Sequence, residues 1–304
     1  MKAIVCTAYG DPSVLQLREV KMPVPTDHEV LIKVHAASVT SADCRIRAFC
    51  SPPLFWVPMR MVIGITRPRR AILGVELSGV IAQVGKKVTR LKEGDPVFAM
   101  TGMKFGAYGE YCCLPEKGLI AIKPDQASFE EATGMLFGGT SALHFLRKGK
   151  ITKDQRVLIY GASGAVGTSA VQLAKHFGAN VTGVCSEANQ SLVAELGADD
   201  VMNYEKEDDT RIKERYDLVF DAVGKITKAH ANKWVTPTGI YVTVNRGMAA
   251  ERLEDAIFLR ELFQAGALKP VIDRVYPFEK IQEAHAYVDK GHKKGNVVVR
   301  IRDK

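Results

Sequence analysis

The spacing of apolar positions changes along the chain. Up to about residue 126 they fall in short runs at residues 29–34, 77–84, 96–100 and 110–114. Glycine and proline punctuate the runs at Gly85, Gly94-Asp-Pro96, Gly106, Gly109 and Pro115, the rhythm of strands joined by turns. Beyond that point, strand-length apolar runs at 156–160, 181–185, 217–220 and 240–244, with a weaker one at 201–203, alternate with helix-length segments. Those segments are 168–177, 187–196, 208–215 and 226–235. Such alternation predicts βαβ units and a parallel sheet covered on both faces. The tail adds a strand at 271–275, a helix at 278–290 and a strand at 296–301, which suits a return to the first domain.

The pattern divides the chain into a β-rich domain over 1–126, an α/β domain over 127–266 and a C-terminal return over 267–304. The first seam falls near Lys123-Pro124-Asp125. Just after it Ser128 is placed to cap a helix, with Glu130 and Glu131 in the first turn at the positive end of the dipole.

One junction carries candidate chemistry. The run Arg156-Val-Leu-Ile-Tyr160 leads into Gly161-Ala-Ser-Gly164-Ala-Val-Gly167 and then a helix. A strand, a glycine turn and a helix start aim backbone N–H groups at one spot, a ready site for a pyrophosphate. Read as Ala162-x-Gly164-x-x-Gly167, it is the dinucleotide fingerprint with alanine in the first position. A tight turn without a ligand is the alternative for the motif alone. The alternating strands and helices around it favour the dinucleotide.

Composition narrows the setting. A chain of 304 residues has room for two domains and a substantial core. No apolar stretch reaches the ~20 residues of a membrane span. The start, Met1-Lys-Ala-Ile-Val-Cys6, has neither the length nor the cleavage site of a signal peptide. The net charge of +8 is scattered except at Arg67-Pro-Arg-Arg70 and residues 290–294. These read as solvated faces, with recruitment of a polyanionic cofactor as the alternative, and not as a nucleic-acid surface. Cys6, Cys44, Cys50, Cys112, Cys113 and Cys185 form no disulfide framework, so reduced thiols in a cytoplasm are expected.

The chain resembles the medium-chain dehydrogenase/reductase superfamily, in its zinc-free quinone-reductase branch. The matching segments span nearly the whole length. They are Ala37-Ser-Val-Thr-Ser-Ala-Asp43, Leu73-Gly-Val-Glu-Leu-Ser-Gly79, Gly94-Asp-Pro-Val-Phe98, Gly106-Ala-Tyr-Gly-Glu-Tyr111, Gly139-Thr-Ser-Ala142, Gly161 to Gly167, Gln172-Leu-Ala-Lys175 and Leu196-Gly-Ala-Asp199. The resemblance implies an α/β fold, a GroES-like β-rich catalytic domain plus a Rossmann doubly wound parallel-sheet cofactor domain, with the active site in the cleft between them.

Zinc-dependent relatives carry Cys where this chain resembles them at Thr40, His where it has Val75 in Gly74-Val-Glu76, and another Cys near Gly138. Valine has no lone pair to donate, and a threonine hydroxyl is a poor substitute for thiolate. The structural-zinc lobe needs four close cysteines, and between Asp95 and Glu116 only Cys112 and Cys113 occur. No metal is therefore expected. Without a Lewis acid the feasible chemistry is hydride delivery to an already electron-poor acceptor, a quinone or an activated alkene.

On the substrate side the resemblance points to Thr40 and Asp43, whose turn faces the nicotinamide in relatives. An N-cap, or an ion pair with Arg45 or Arg47, is the purely structural alternative for Asp43. Enoyl-thioester reductases place a tyrosine donor shortly after this turn, and residues 44–58 hold none. Phe55, Trp56 and Met59 to Met61 are candidates to line the acceptor pocket, with an ordinary core or lid as the alternative.

On the cofactor side the resemblance implies contacts from Thr140, Ser163, Gly164, Ala165, Val166, Ala222 and Val223. NAD-preferring domains end their second strand on an acid that accepts the ribose hydroxyls and repels a 2′-phosphate. Here the strand ends at Cys185-Ser186, neutral and small, where Ser186 and Asn189 can hydrogen-bond the phosphate, and the resemblance matches Tyr204 to a tyrosine beside it in quinone reductases. Glu187 argues the other way, unless it serves its helix dipole. NADPH is favoured over NADH.

After Val244 the chain passes quickly through Asn245-Arg-Gly-Met248 into a helix-like segment at 251–264, where relatives have a longer passage and a further edge strand. This predicts a sheet of about five strands that lacks a familiar dimer edge, so a homodimer would need another contact. The expected function is zinc-independent, NADPH-dependent reduction of a small electrophile, a quinone or enone. An enoyl-thioester reductase, or a nucleotide-binding protein with little turnover, remains open beside it.

Overall fold

A computed structural model of the chain describes residues 1–50, 56–206, 215–247, 249–250 and 252–302. They form two compact units, one of Met1–Leu136 with Ile272–Lys304 and the other of Phe137–Val271.

The first unit opens with β1 (Lys2–Cys6) and β2 (Leu15–Glu19), an antiparallel pair of their own. There follow β3 (Glu29–Ser38), α1 (Ser41–Ala48), α2 (Trp56–Ile63), β4 (Glu76–Val84), β5 (Pro96–Met100), β6 (Tyr111–Pro115), β7 (Ile120–Ile122) and α3 (Phe129–Thr133). Strand β3 outruns its predicted end at residue 34. Ala36, Ala37 and Ser38 are all buried, so the alternation that marks a half-exposed strand is lost there. The α3 helix opens with a full capping box: the Glu131 N–H donates to Ser128 Oγ at 3.1 Å, and the Ser128 N–H to the Glu131 carboxylate at 2.9 Å. The Thr133 hydroxyl ties the helix end to Ser78 on β4 at 2.7 Å.

The second unit runs α4 (Leu136–Lys148), β8 (Arg156–Tyr160), α5 (Ala165–His176), β9 (Asn180–Cys185), α6 (Gln190–Glu195), β10 (Asp200–Asn203), β11 (Tyr216–Asp221), α7 (Lys228–Trp234), β12 (Val235–Thr243) and α8 (Leu253–Gln264). Its five strands are all parallel, in the order β10-β9-β8-β11-β12. The chain moves outward from β8 to β10 and returns to β11 on the other side of β8. This reversal is the switch point at whose carboxyl ends α/β sheets bind ligands. Among the described residues the sheet has five strands, the number expected from sequence. The weak run at 201–203 is a true edge strand, short as edges tend to be.

Helix boundaries moved most. The helix expected from Thr168 starts at Ala165, because Gly164 is its N-cap and the end of the fingerprint already lies in its first turn. The helix expected over 187–196 begins as a 3-10 turn, Glu187–Asn189, before α6. The segment expected to be helical over 208–215 lies outside the described residues apart from Arg215, as do Phe55, Met248 and Glu251.

The tail supplies β13 (Ile272–Pro277), α9 (Ile281–Asp289) and β14 (Asn296–Arg300). The sheet order β13-β14-β3-β4-β5-β7 places β14 against β3, antiparallel, while β6 pairs with the other half of β3's length. Val297 and Val299 of β14 and Ile281 and Val288 of α9 share one core with Ile32, Val34, Leu77 and Ile81. The first unit is therefore closed by residues from both ends of the chain.

Candidate active site

The second unit carries the residues expected on the cofactor side: Ser163 to Val166, Ser186, Asn189, Tyr204, Ala222 and Val223 follow the carboxyl ends of its strands, and Thr140 lies on α4. After β8 the chain turns through Gly161 at φ +80° and enters α5 with Gly164 as N-cap. No side chain caps this helix, so the first N–H groups, from Ala165 and Val166 onward, lack both intrahelical and side-chain acceptors. A β-carbon on Gly167 would stand 2.1 Å from Gly161 O, so the turn closes on the helix only because residue 167 carries none. On Gly164 the nearest atom would be 3.6 Å away, which leaves that side of the turn open. An open helix N-terminus with an uncovered glycine fits a pyrophosphate.

Ser163, Ser186 and Asn189 are brought together. The Asn189 amide donates to Ser186 Oγ at 3.0 Å and to Ser163 Oγ at 3.2 Å, and its Oδ1 is buried without a partner. Thr140 lies buried on α4, whose neighbouring Gly138 approaches α5 so closely that a β-carbon there would stand 2.3 Å from Ala165 O. Tyr204 follows β10, with its N–H donating to Cys185 O at 3.2 Å and its ring 6.2 Å from that of Tyr160. Ala222 hangs from the Tyr160 carbonyl through its N–H at 3.0 Å, beside the glycine turn.

Sequence reasoning missed two residues here. Asp221, buried at the end of β11, accepts N–H bonds from Gly224 at 2.8 Å and Ile226 at 3.0 Å and the Thr243 hydroxyl at 3.1 Å. It fixes the loop that carries Ala222 and Val223. An Asp followed by a glycine three residues on is a turn signal, and this was the available clue. The second is Lys206, whose Nζ lies 2.6 Å from Glu187 Oε1 on the exposed rim. Glu187, the residue that argued for NADH, is therefore partnered by a cation.

In the first unit Thr40 and Asp43 form the capping box of α1. The Thr40 N–H and hydroxyl both donate to Asp43 Oδ2, at 2.9 and 2.6 Å, and the Asp43 N–H returns to Thr40 Oγ1 at 3.2 Å. The N-cap of α1 is Thr40 and not Asp43, which serves instead as the N3 partner of the capping box. Arg47 pairs with Asp289 instead, at 2.7 Å. Asp43 is fully buried, and burial pushes its carboxyl up to about 6, opposed by the Thr40 hydroxyl and N–H, the Tyr108 hydroxyl and the Gly74 N–H. Tyr108 is buried beside it and donates to Ser38 O at 3.2 Å.

Next to this pair, Cys44 Sγ and His285 Nδ1 lie 3.4 Å apart. Burial drives the thiol above its ordinary range and the imidazole down to about 3, so both are neutral and the pair is no activated nucleophile. Glu76 is buried, with one carboxylate oxygen accepting from the Ser38 hydroxyl at 2.6 Å and the other from the Leu136 N–H at 2.7 Å. Trp56, Met59 and Met61, expected in a pocket or a core, are 45%, 36% and 65% exposed on α2, which corrects the core alternative. The buried residue of the helix is Ile63, and Trp56 reaches inward only by its ring, 5.8 Å from that of Phe49.

Among the described residues no three His, Cys, Asp or Glu side chains are grouped to hold a metal ion. No helix among them is long and apolar enough to cross a membrane.

A parallel five-stranded sheet with an uncapped glycine turn, in one chain with a mostly antiparallel β unit, is the architecture of a two-unit nucleotide-binding protein. Family models agree in each part. Residues 26–124 match the alcohol dehydrogenase GroES-like domain, and 165–267 and 248–299 match two zinc-binding dehydrogenase models. The NADPH-dependent alkenal/one oxidoreductase of Arabidopsis thaliana, a chloroplastic protein, is 32% identical, with 98% of this chain and 79% of that protein covered. The 2-methylene-furan-3-one reductase of Solanum lycopersicum is also 32% identical, over the same shares. The quinone oxidoreductase of Coxiella burnetii superposes with a TM-score of 0.90 at 27% identity, covering 99% of each chain. The chain belongs to the medium-chain dehydrogenase/reductase superfamily, in its quinone-oxidoreductase-like branch. Its fold joins a GroES-like domain to a Rossmann-like one.

Proposed function

We propose that this protein is a zinc-independent, NADPH-dependent reductase of quinones or carbonyl-activated alkenes. The observation that carries the reading is the donor chemistry at three positions where zinc-dependent members hold their metal: Thr40, Val75 and Gly138 offer no thiolate and no imidazole. The substrates in the relatives' names, alkenals and a methylene-furanone, are electron-poor carbon–carbon double bonds of this kind. The catalytic domain in this reading is 1–126 with 267–304, and the cofactor domain is 127–266.

The α5 N–H groups from Ala165 and Val166, with Gly164, hold the cofactor's pyrophosphate, and Thr140, Ala222 and Val223 hold its nicotinamide end. Ser163, Ser186 and Asn189 supply donors for the 2′-phosphate, with Tyr204 and Lys206 at the rim. NADPH supplies the hydride. The protein orients the acceptor, excludes water and handles the proton that completes reduction. Thr40 is the group set to bond the acceptor's oxygen, and Asp43 is its positioning residue. While Asp43 is ionised the Thr40 hydroxyl is committed to it. Once Asp43 is protonated, its own proton can serve Thr40, and the Thr40 hydrogen is released to the acceptor.

The six cysteines are unpaired, which suits a reducing compartment such as the cytoplasm. The test is NADPH oxidation against a quinone, an enone and an enoyl thioester, with and without a chelator. Chelator-insensitive turnover of quinone or enone is expected. Thioester turnover alone would make it an enoyl reductase, and bound NADPH without turnover of any acceptor would make it a nucleotide-binding protein.

A further inference from the structure

The α2 helix is turned inside out. Its one cation, Arg60, lies inward over the rings of Trp56, Phe49 and Tyr9, at 4.3, 4.5 and 5.1 Å from their centroids. Ile63, one turn on, is buried, and Arg60 is half-buried. The aliphatic residues face the other way: Val57, Met61 and Val62 are 61%, 65% and 63% exposed, and Ile65 just past the helix is 66% exposed. A helix on a soluble surface puts its apolar stripe on the core and its charges in water. This one reverses that order, and contiguous exposed apolar residues of this kind mark an interaction surface.

The flank supplies the charge. Arg67, Arg69 and Arg70 are exposed, and among the described residues no carboxylate pairs with them. Arg67 and Arg69 line a shallow depression with Gly64, Ile65, Pro68 and Ala71. The turn that presents them is held by the Arg69 N–H on Ile63 O at 2.7 Å and by the Tyr9 hydroxyl on Gly64 O at 2.8 Å. Between Asp43 and Glu76 the sequence has six arginines and no acid. Pairing this face with itself in a second copy would bring like charges together with nothing to neutralise them.

We propose that α2 and the turn after it form a docking surface for an anionic lipid membrane. Val57, Met61, Val62 and Ile65 enter the headgroup boundary, Trp56 sits at its level, and Arg67, Arg69 and Arg70 meet lipid phosphates. Exposed aliphatic side chains with cations along one border are the chemistry of an interfacial helix. The assignment is independent of the reductase reading, and its readout is binding.

The test is sedimentation of the whole protein with vesicles of phosphatidylglycerol and phosphatidylcholine, and with phosphatidylcholine alone, at about 0.1 M salt. The protein should sediment with the anionic vesicles and stay in solution with the neutral ones. Brominated lipid in the anionic vesicles should quench Trp56, since the other tryptophan, Trp234, is buried at 3% exposure. Arg67→Ser/Arg69→Ser/Arg70→Ser should weaken binding by on the order of fivefold per arginine removed. Val62→Asp should abolish quenching. Failure to bind anionic vesicles, equal binding to neutral ones, or sedimentation without Trp56 quenching would each overturn the proposal. So would a dimer lost on Val62→Asp in the absence of vesicle binding, which would assign the face to a second copy.

Discussion

Val223 fills the space that a side chain on Gly161 would need: a β-carbon there would stand 2.5 Å from Val223 Cγ1. The glycine turn after β8 and the loop after β11 are thus one packed object, built from two crossings of the sheet. Its shape depends on what one segment lacks and the other supplies.

Gly161→Ala should therefore destabilise the second unit. Overpacking against Val223 and a left-handed backbone at φ +80° together amount to about 2–4 kcal/mol. Gly164→Ala should differ. Its φ is −79° and its β-carbon would meet nothing nearer than 3.6 Å, so stability should stay within about 0.5 kcal/mol. NADPH affinity should still fall if the turn holds the pyrophosphate as proposed, because the methyl would crowd that open side of the turn. Urea unfolding paired with NADPH titration separates the two. Equal affinity in Gly164→Ala and wild type would move the pyrophosphate off this turn.

Asp221→Ala should remove the acceptor for the Gly224 and Ile226 N–H groups and leave them without it. Unsatisfied part-buried donors and a lost charged acceptor make a loss of about 2–3 kcal/mol the expected result. Asp221→Asn keeps the shape and should lose less. Thermal unfolding with and without NADPH measures both, and an unchanged midpoint for Asp221→Ala would count against the loop-holding role.

Lys206→Ala tests cofactor choice. The Lys206–Glu187 pair is exposed, so its loss should leave thermal stability unmoved. NADPH affinity should fall about tenfold, as for a removed charge-assisted phosphate contact, with NADH affinity little changed. Equal weakening of both cofactors, seen by fluorescence titration, would place Lys206 away from the 2′-phosphate.

Asp43 sets a pH dependence. Its folded pKa is raised, to about 6, so the folded state holds this proton more tightly than the unfolded chain does. That contribution is fully present below the unfolded value of about 4 and is lost as pH rises through about 6, up to about 3 kcal/mol in all. Asp43→Asn should flatten this part of the stability profile. Turnover should fall over the same interval in wild type, because ionised Asp43 recaptures the Thr40 hydroxyl. A mutant and wild type with parallel stability profiles from pH 4 to 7 would refute the assignment.

Much of the candidate site was legible in the sequence. Ser163, Gly164, Ala165 and Val166 belong to one contiguous turn, and Ser186, Asn189 and Tyr204 follow strands whose ends the apolar runs marked. The roles of Asp221 and Lys206 were read less easily. Asp221 holds Gly224 and Ile226 nearby, which its turn signal hints at, but also Thr243, twenty-two residues away, while Lys206 pairs with Glu187, nineteen residues away. Neither Thr243 nor Glu187 is named as a partner by any local pattern.

The sequence by itself determined what depends on neighbours along the chain: the alternation of strand and helix, the glycine turn, and the capping box of Ser128 and Glu131. Period and turn chemistry act over a few residues, and those residues are adjacent in the text. Tertiary structure decided what depends on partners far apart. Arg47 passes over Asp43 and pairs with Asp289, 242 residues on. Strand β3 runs to Ser38 because β4 and a strand from the tail are there to pair with it. The α2 helix turns its arginine inward because Tyr9 and Phe49 offer ring faces that its own sequence does not contain. Burial and pairing are settled by what the folded chain brings alongside, and that is written in no single segment.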